Sequence, residues 1–340
     1  MPLTVHQAFV AQAAYCRAND APVTASACEA AFAALDRESA TGRRVLGWSG
    51  DPLADVVALR LIGGLHALAR AGVEPFATLS AGGVVPRERL AEAIRTHDGA
   101  LAEWLDRPPQ TNDAGRAAGL MAGLMWLAER HPLPVDLWEI GSSAGLNLLI
   151  DRFRLELGGV SVGPADSPVR IAPDWNGPPP PDVTVRIAGV RGVDRDPLDL
   201  ADASEADRLM SCIWADHPQR IERTEAAIAL ARAHPPRLER GEAADWVDAR
   251  LAEPTLPGRA RVLMHSLVWQ YLDAGSQARI TNAMARAGAA ATGDTPLGWV
   301  RLEADRTKLR HDLTVRVWPG GRETLLAHAH AHGFWVEWVG

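Results

Sequence analysis

Lysine and cysteine are scarce in this sequence, and each shortage excludes a class of chemistry. Lys308 is the one lysine among 35 basic residues, so no other side chain can form the Schiff base that pyridoxal-phosphate enzymes use. Cys16, Cys28 and Cys212 are odd in number and lack the spacing of a metal site or a disulfide framework. We therefore expect free thiols, as in proteins of the reducing cytoplasm.

Long apolar runs and an excess of positive charge are also missing. The longest apolar stretch, residues 117–128, is too short and too rich in glycine to span a bilayer. The N-terminal residues lack the basic region of an export signal. The net charge of −7 offers no basic face to a phosphate backbone. We expect a cytoplasmic globular protein that acts on a small molecule or a protein, with neither a membrane nor a nucleic acid as partner.

The first part of the chain, residues 1–132, has apolar side chains at three- and four-residue spacing, which is typical of helices. Helices are predicted over residues 5–17, 25–36, 53–71, 87–105 and 113–130. Thr111 or Asn112 is the predicted N-cap of the last helix. These residues are therefore predicted to form an N-terminal helical cap domain.

From residue 133 to residue 340, short apolar runs alternate with helical stretches, which indicates βαβ units. Strands are predicted over residues 135–140, 183–189, 237–239, 261–265, 299–303, 313–318 and 335–338. A helix over residues 322–331 separates the last two strands, which are expected to pair antiparallel at an edge. Residues 158–182, rich in glycine and proline, are predicted to be an insertion or lid loop. The predicted fold class is α/β, a Rossmann-like, mainly parallel sheet behind an all-α domain.

The segment that follows the first predicted strand carries the strongest signal. Residues 141–147, GSSAGLN, predict a tight turn that delivers a helix N-terminus to a ligand. Together with Glu139, this segment resembles the first motif of class I S-adenosylmethionine-dependent methyltransferases, although Ser143 replaces its middle glycine. The resemblance implies S-adenosylmethionine as cofactor. The implied cofactor-binding residues are Glu139, Gly141, Ser142, Ser143, Gly145 and Asn147.

Three other interpretations of this segment stay open. Gly141 and Gly145 also suit an ordinary strand-to-helix turn. The same letters spell the G-x-S-x-G elbow of a serine hydrolase with Ser143 as the nucleophile. A triad then needs Asp245 or Asp273 and His311 or His328. Glu139 favours the methyltransferase, because a carboxylate beside the loop suits a cationic amino-acid ligand. A non-catalytic ligand-binding module is the third possibility.

Two further acidic residues occupy positions that a nucleotide site uses. Asp194 is placed to accept the ribose hydroxyls, as an acid closing the second strand does in such folds. It follows Glu139 by 55 residues, where about 20 is usual, so this role requires the insertion to be real. Glu242, or Asp245 as its alternative, resembles the acid that reads the adenine amino group. A solvated loop and a helix cap are the simpler roles.

Polar residues also end two later strands, where parallel sheets place their ligands. His265 closes the strand predicted over residues 261–265 and is the candidate general base. Glu303 closes the strand predicted over residues 299–303 and is a candidate for substrate binding. A buried structural histidine is the alternative for His265.

The histidine run at positions 328, 330 and 332 invites a metal site. On the predicted helix only His328 and His332 share a face, and Gly333 resembles a helix C-cap. We therefore predict no metal.

Several stretches of the chain are together similar to a bacterial family catalogued as domain of unknown function 2332. The likeness rests on Thr111-Asn112-Asp113 with Arg116, residues 139–147 with Asp151-Arg152, Arg191-Gly192-Val193-Asp194 with residues 197–199, Trp214-Ala215-Asp216 with Arg220, His265-Ser266, and His332-Gly333 with Trp335. Asp113 stands where the family more often has glutamate. The resemblance implies one family over the full length and adds four candidate substrate-binding residues: Asn112, Arg116, Asp216 and Arg220. For Asn112 and Arg116, helix capping and pairing with Asp113 are the alternative.

Overall fold

A computed structural model describes residues 3–305 and 310–340 of the chain. Lys308, the one lysine, lies outside the described residues. The chain divides into two compact units, Met1–Thr111 with Ala201–Glu222 and Asn112–Leu200 with Arg223–Gly340. The predicted boundary at residue 132 differs from this division, because the helix that precedes it packs with the sheet of the second unit.

The described residues form twelve α-helices. They are α1 (Val5–Ala18), α2 (Pro22–Ala34), α3 (Ala40–Leu46), α4 (Val57–Arg70), α5 (Phe76–Ser80), α6 (Arg87–Thr96), α7 (Asp98–Trp104), α8 (Ala117–Arg130), α9 (Ala203–Ser211), α10 (Pro218–Ala233), α11 (Ala243–Ala252) and α12 (Ala274–Ala289). The helix predicted over residues 87–105 breaks at His97, which ends α6 and precedes α7. None of these helices is long and apolar enough to cross a membrane.

The first unit contains only helices among its described residues. Its core combines eight alanines with larger side chains, among them Phe9, Leu61 and Phe76. Alanine lets helices approach closely, and the large side chains fill the remaining space. Trp214, from the Ala201–Glu222 segment, is buried in the same core, which is why this segment belongs with the first unit.

The described residues also form twelve strands. They are β1 (Val135–Ile140), β2 (Arg154–Leu157), β3 (Val160–Val162), β4 (Arg170–Ile171), β5 (Asp174–Asn176), β6 (Ile187–Asp194), β7 (Leu238–Arg240), β8 (Ala260–Ser266), β9 (Leu297–Asp305), β10 (Arg310–Trp318), β11 (Arg322–Ala329) and β12 (Trp335–Trp338). Nine of them form one sheet in the order β5-β12-β11-β10-β9-β8-β1-β6-β7, and β3-β2-β4 form a small second sheet. Neighbours from β7 to β9 are parallel, those from β9 to β12 are antiparallel, and β12 pairs parallel with β5. The prediction of a mixed α/β fold with a mostly parallel sheet is confirmed.

Helices cover the central strands on both faces. On one face lies α8, whose Gly119 and Gly123 bring its backbone close to side chains of β9 and β10. Eleven of its fourteen residues are buried, so α8 belongs to the layered core rather than to a separate cap. On the other face, α11 and α12 pack on a cluster that includes Trp138, Leu263 and Trp299.

The predicted helix over residues 322–331 is wrong, because β11 occupies most of this segment. Its leucine, alanine and glutamate content favours a helix, but pairing with both β10 and β12 overrides that propensity. Gly320 and Gly321 adopt positive φ in the tight turn before it, a hairpin signal that the composition masks. Consequently β11 lies between β10 and β12, and the predicted direct pairing of those two strands is also wrong.

Two other predicted boundaries needed correction. The segment 158–182 is not a simple loop: it supplies β3, β4 and β5, and the positive φ of Gly158 and Gly159 closes the β2–β3 hairpin. The strand predicted over residues 183–189 is displaced along the chain, because β6 begins at Ile187 and ends at Asp194. Gly189 is therefore not a strand end, and Gly192 within β6 lets Ser142 approach, since a Cβ there would meet Ser142 Oγ at 2.7 Å.

Candidate functional site

The glycine loop, residues 141–147, leaves β1 at its carboxyl end in a strongly turned conformation. Gly141 and Gly145 have φ of +65° and +73°, and Ser143 has φ of +52°, a region that side chains with a Cβ rarely adopt. A Cβ on Gly141 would come within 2.2 Å of the Val268 side chain, and one on Gly145 within 2.7 Å of Pro236. Both glycines are therefore required by the turn and by close packing against the protein itself.

Backbone groups of this loop are bound by neighbouring residues. Asp194 Oδ2 accepts the N–H of Ser143 (2.9 Å), and Asn112 Oδ1 accepts the N–H of Leu146 (2.7 Å). The loop continues into a 3₁₀ segment, Leu146–Arg152, with a kink at Leu149. The predicted α-helix N-terminus at this point is therefore wrong. Asn112 anchors the loop, and Asp113, rather than Thr111 or Asn112, caps the 3₁₀ turn Ala114–Arg116 that precedes α8.

Glu139 lies at the centre of a buried polar cluster at the end of β1. Its side chain is 1% exposed, and burial raises the pKa of its carboxyl well above the usual value, with a further rise from the charge of Asp194. Arg116 and the Asn147 amide oppose that rise. Within the part of the chain that the structure describes, Glu139 Oε2, Ser142 Oγ and both amide atoms of Asn147 are buried without a well-formed hydrogen bond. Such a concentration of unsatisfied buried polar atoms calls for an explanation, and a ligand-binding site is one.

Arg116 supports this cluster from the start of α8. Its guanidinium Nε donates to the carbonyl oxygen of Ala331 (3.0 Å), and only 5% of the residue is exposed. The positive charge of Arg116 lowers the pKa of Glu139. Burial lowers the pKa of His311, and the charge of Arg116 lowers that pKa further. The geometry thus gives Arg116 an electrostatic role inside the protein, and a contact with substrate stays a prediction.

Asp113, between Asn112 and Arg116, holds a second buried network. It accepts the N–H of Gly115 (2.9 Å), a guanidinium N–H of Arg223 (3.1 Å), and His332 Nδ1 lies 3.1 Å from its other oxygen. Arg223 also donates to the carbonyl oxygen of His332 (3.0 Å). The family-like Asn112-Asp113 pair therefore ties the start of α8 to both the glycine loop and the C-terminal strands.

Acidic residues end the two strands beyond β1. Asp194 closes β6, and besides the N–H of Ser143 it accepts that of Asp196 (2.9 Å), so both of its oxygens stabilise loop backbone. Glu242 follows β7 and pairs with Arg195 (2.9 Å), with 54% of its side chain exposed. Glu139, Asp194 and Glu242 thus stand at the carboxyl ends of three adjacent parallel strands.

The structure joins His265 and Glu303, which were predicted separately from their strand ends. His265 Nδ1 lies 2.6 Å from Glu303 Oε1, which also accepts the N–H groups of Val268 (3.2 Å) and Trp269 (3.3 Å). The imidazole is fully buried and stacks on the Trp269 indole, with ring centroids 5.2 Å apart. Because a carboxylate only accepts hydrogen bonds, the shared proton belongs to His265 Nδ1.

A cavity of about 290 Å³ opens beside this pair. It is lined by Trp269, Gln270, Gln277, Glu303 and Ala304. His265 contacts two of the lining residues but does not line the cavity. The geometry therefore gives the position facing a ligand to Glu303, the candidate for substrate binding, and the supporting position to His265, which the sequence had suggested as the general base. Sequence reasoning did not assign Trp269 or Gln277 to the site: Trp269 lies three residues after β8, and Gln277 lies in the first turn of α12.

Two candidate substrate-binding residues lie in the first unit, whereas the other candidates lie in the second. Asp216 accepts the backbone N–H groups of Val23 (2.6 Å) and Thr24 (2.9 Å) at the start of α2. Arg220 is 2% exposed and lies 3.1 Å from the imidazole of His217. Both residues have local structural contacts, and a substrate role for either stays a prediction.

Three of the four residues considered as triad partners of Ser143 have other contacts. Asp245 forms an ion pair with Arg279 (2.5 Å), and Asp273 caps α12. His328 lies 2.7 Å from Asp312, the residue opposite it in the sheet. No cluster of three or more His, Cys, Asp or Glu side chains suited to a metal ion occurs among the described residues.

Comparison with known proteins adds membership of a family. No curated protein matches the chain. A family model described as an uncharacterised protein conserved in bacteria matches residues 6–338, nearly the whole chain and both units. The chain therefore belongs to the bacterial family DUF2332.

Proposed function

We propose that this protein is an S-adenosylmethionine-dependent methyltransferase. The observation that carries the proposal is the strand order β7-β6-β1-β8-β9, with the glycine loop at the carboxyl end of β1. The chain runs from β1 outward to β6 and β7 and then returns to β8 on the other side of β1. Doubly wound nucleotide-binding sheets of the Rossmann-like class use this order, and their ligands bind at such a switch point.

The residues at this switch point suit the amino-acid end and the nucleoside of S-adenosylmethionine. The buried Glu139 carboxyl matches an ammonium group, and the polar atoms of Ser142 and Asn147 match the remaining donors and acceptors of an amino acid. Asp194 and Glu242 follow on the next two strands, where a ribose and an adenine would extend. Arg116 favours the ionised form of Glu139, whose carboxyl releases its proton to solvent when a ligand ammonium binds beside it.

A bound S-adenosylmethionine supplies an activated methyl group, so the chain itself mainly has to align an acceptor and remove a proton. Glu303 lies at the end of β9, two strands from β1, and faces a cavity. Its Oε1 is fixed by three donors, and His265 orients it. Under this proposal, Oε2 of Glu303 accepts the proton that the methyl acceptor loses, and His265 positions the Glu303 carboxylate.

Asp194→Ala tests where the ligand binds. Its loss frees the Ser143 and Asp196 N–H groups and removes an acceptor for ribose, so we expect the affinity for S-adenosylhomocysteine to fall at least about 30-fold, or about 2 kcal/mol. Calorimetric titration measures the affinity. Asp182→Ala, at an exposed position of the same unit, is the matched control and should bind normally. Normal binding by Asp194→Ala would place the ligand elsewhere.

A product assay separates an enzyme from a non-catalytic sensor with the same fold. The wild type is incubated with methyl-labelled S-adenosylmethionine and small-molecule extracts. An enzyme is supported if the wild type transfers the label and the Glu303→Gln variant does not. Tight binding without any transfer supports the binding module.

The left-handed φ of Ser143 is the one observation that favours a serine hydrolase, whose nucleophile sits in a strained elbow. Under our proposal the residue serves the turn, and Ser143→Gly should raise the free energy of unfolding by about 0.5–1 kcal/mol while ligand binding persists. Denaturant unfolding and a fluorophosphonate probe check this. Labelling of the wild type that disappears in Ser143→Gly would establish the hydrolase instead.

A further inference from the structure

We propose that the cavity beside Glu303 binds the ammonium group of a cationic amine. That this amine is the methyl acceptor rests on the proposed function, but the binding site itself is inferred from the geometry of the cavity.

The carboxylate of Glu303 supplies a fixed negative charge. Three donors hold Oε1, leaving Oε2 as the oxygen that can meet a ligand, and 18% of the side chain is exposed. Arg301, on the same strand, pairs with Glu323 and lies over the Trp299 ring at 4.6 Å. None of the five lining residues is cationic. Among the described residues, the cavity therefore has a negative charge that its lining side chains do not neutralise.

The other lining groups also favour a positive ligand. Trp269 presents an indole, whose π face attracts cations, and His265 stacked on it fixes the plane of the ring. Gln277 Nε2 donates to the carbonyl oxygens of Trp269 (2.8 Å) and Leu272 (3.1 Å), so the amide oxygen is the atom of Gln277 left for a ligand. A carboxylate, an amide oxygen and an aromatic ring together match an ammonium group and reject an anion.

The same groups account for proton removal during methyl transfer to an amine. The bound ammonium gives one proton to Glu303 Oε2, which frees the nitrogen lone pair. That pair forms the bond to the methyl carbon, while the electrons of the carbon–sulfur bond stay with sulfur. The methylated amine regains the positive charge that the sulfonium loses, so atoms and charge balance.

Ligand-observed NMR with the full-length protein and no added S-adenosylmethionine tests the site. The probes are choline and 3,3-dimethylbutan-1-ol, which have the same shape and differ in charge. We expect choline to bind about tenfold more tightly, because the ring and the carboxylate act on charge and not on shape. Equal binding of the two probes, or no binding of either, overturns the proposal.

Variants at one lining position guard against misfolding. Gln270→Glu adds a negative charge to the cavity and should tighten choline binding about threefold or more, whereas Gln270→Lys should weaken it by at least as much. Glu303→Gln should weaken it about tenfold, with Asp312→Asn, a carboxylate on the next strand that also faces a histidine, as control. An unchanged response to both Gln270 variants contradicts the site. Choline binding by a protein that fails to bind S-adenosylmethionine keeps the amine site and removes only the methyltransferase.

Discussion

Replacing Glu139 by glutamine should make the protein more stable at neutral and alkaline pH and at the same time weaken its affinity for S-adenosylmethionine about 30-fold or more. The carboxyl is buried, and burial raises its pKa well above the usual value. An acid whose pKa is raised on folding stabilises the folded state fully below its unfolded pKa, and that stabilisation is lost as the pH rises through the folded pKa. Glutamine keeps the shape without this pH-dependent cost.

The expected gain for Glu139→Gln above the folded pKa is about 1–3 kcal/mol, the cost of an unsatisfied buried polar group. Urea unfolding at pH 5 and pH 8 measures it, with the gain larger at pH 8. Glu225→Gln, at an exposed position of the same unit, is the control and should show no such gain. A destabilised Glu139→Gln at pH 8 contradicts this assignment, because it indicates an ionised carboxylate that Arg116 stabilises.

Binding by the same variant should move in the opposite direction. The ligand ammonium needs the ionised carboxylate, so Glu139→Gln should cost about 2–5 kcal/mol of affinity, about 30-fold or more. Wild-type affinity should rise with pH because the raised pKa of Glu139 makes binding release a proton. A side chain that lowers the stability of the protein but supports ligand binding is typical of a functional site. Mutation of a purely structural residue lowers both stability and binding.

Asp113→Ala should be the most destabilising single change in the second unit outside its apolar core. It removes the partner of Arg223 and His332 and leaves a buried guanidinium without its carboxylate, which costs about 3–5 kcal/mol. Asp273→Ala is the matched comparison, since Asp273 also caps a helix but is exposed, and it should cost about 0.5–2 kcal/mol. Denaturant unfolding compares the two. Equal losses would show that Asp113 acts only as a cap.

The central part of the fold was predictable because its strands have strong local signals. The bounds of β1 and β12 agree with the prediction at both ends, and the switch from helical to alternating pattern near residue 133 marks where the main sheet begins. β11 was not predictable from propensity, because its partners β10 and β12 decide its conformation. Gly320-Gly321 was the available signal.

The candidate site shows the same division. His265 and Glu303 were predicted separately from their strand ends, and their contact follows from parallel neighbours that end at one edge of the sheet. The contacts of Asn112 and Asp113 did not follow from any local pattern, because their partners lie up to 219 residues away. That Glu303 and not His265 lines the cavity depends on side-chain packing, including the stacking of Trp269 on His265, which no sequence pattern fixes.

Calorimetric titration of the wild-type protein with S-adenosylmethionine and S-adenosylhomocysteine tests the central claim most directly. The account predicts saturable binding at one site per chain, with a dissociation constant between about 1 µM and 1 mM, the range in which enzymes commonly hold their substrates. The absence of both a heat of binding and a shift in unfolding temperature, at several millimolar of either compound, would contradict it.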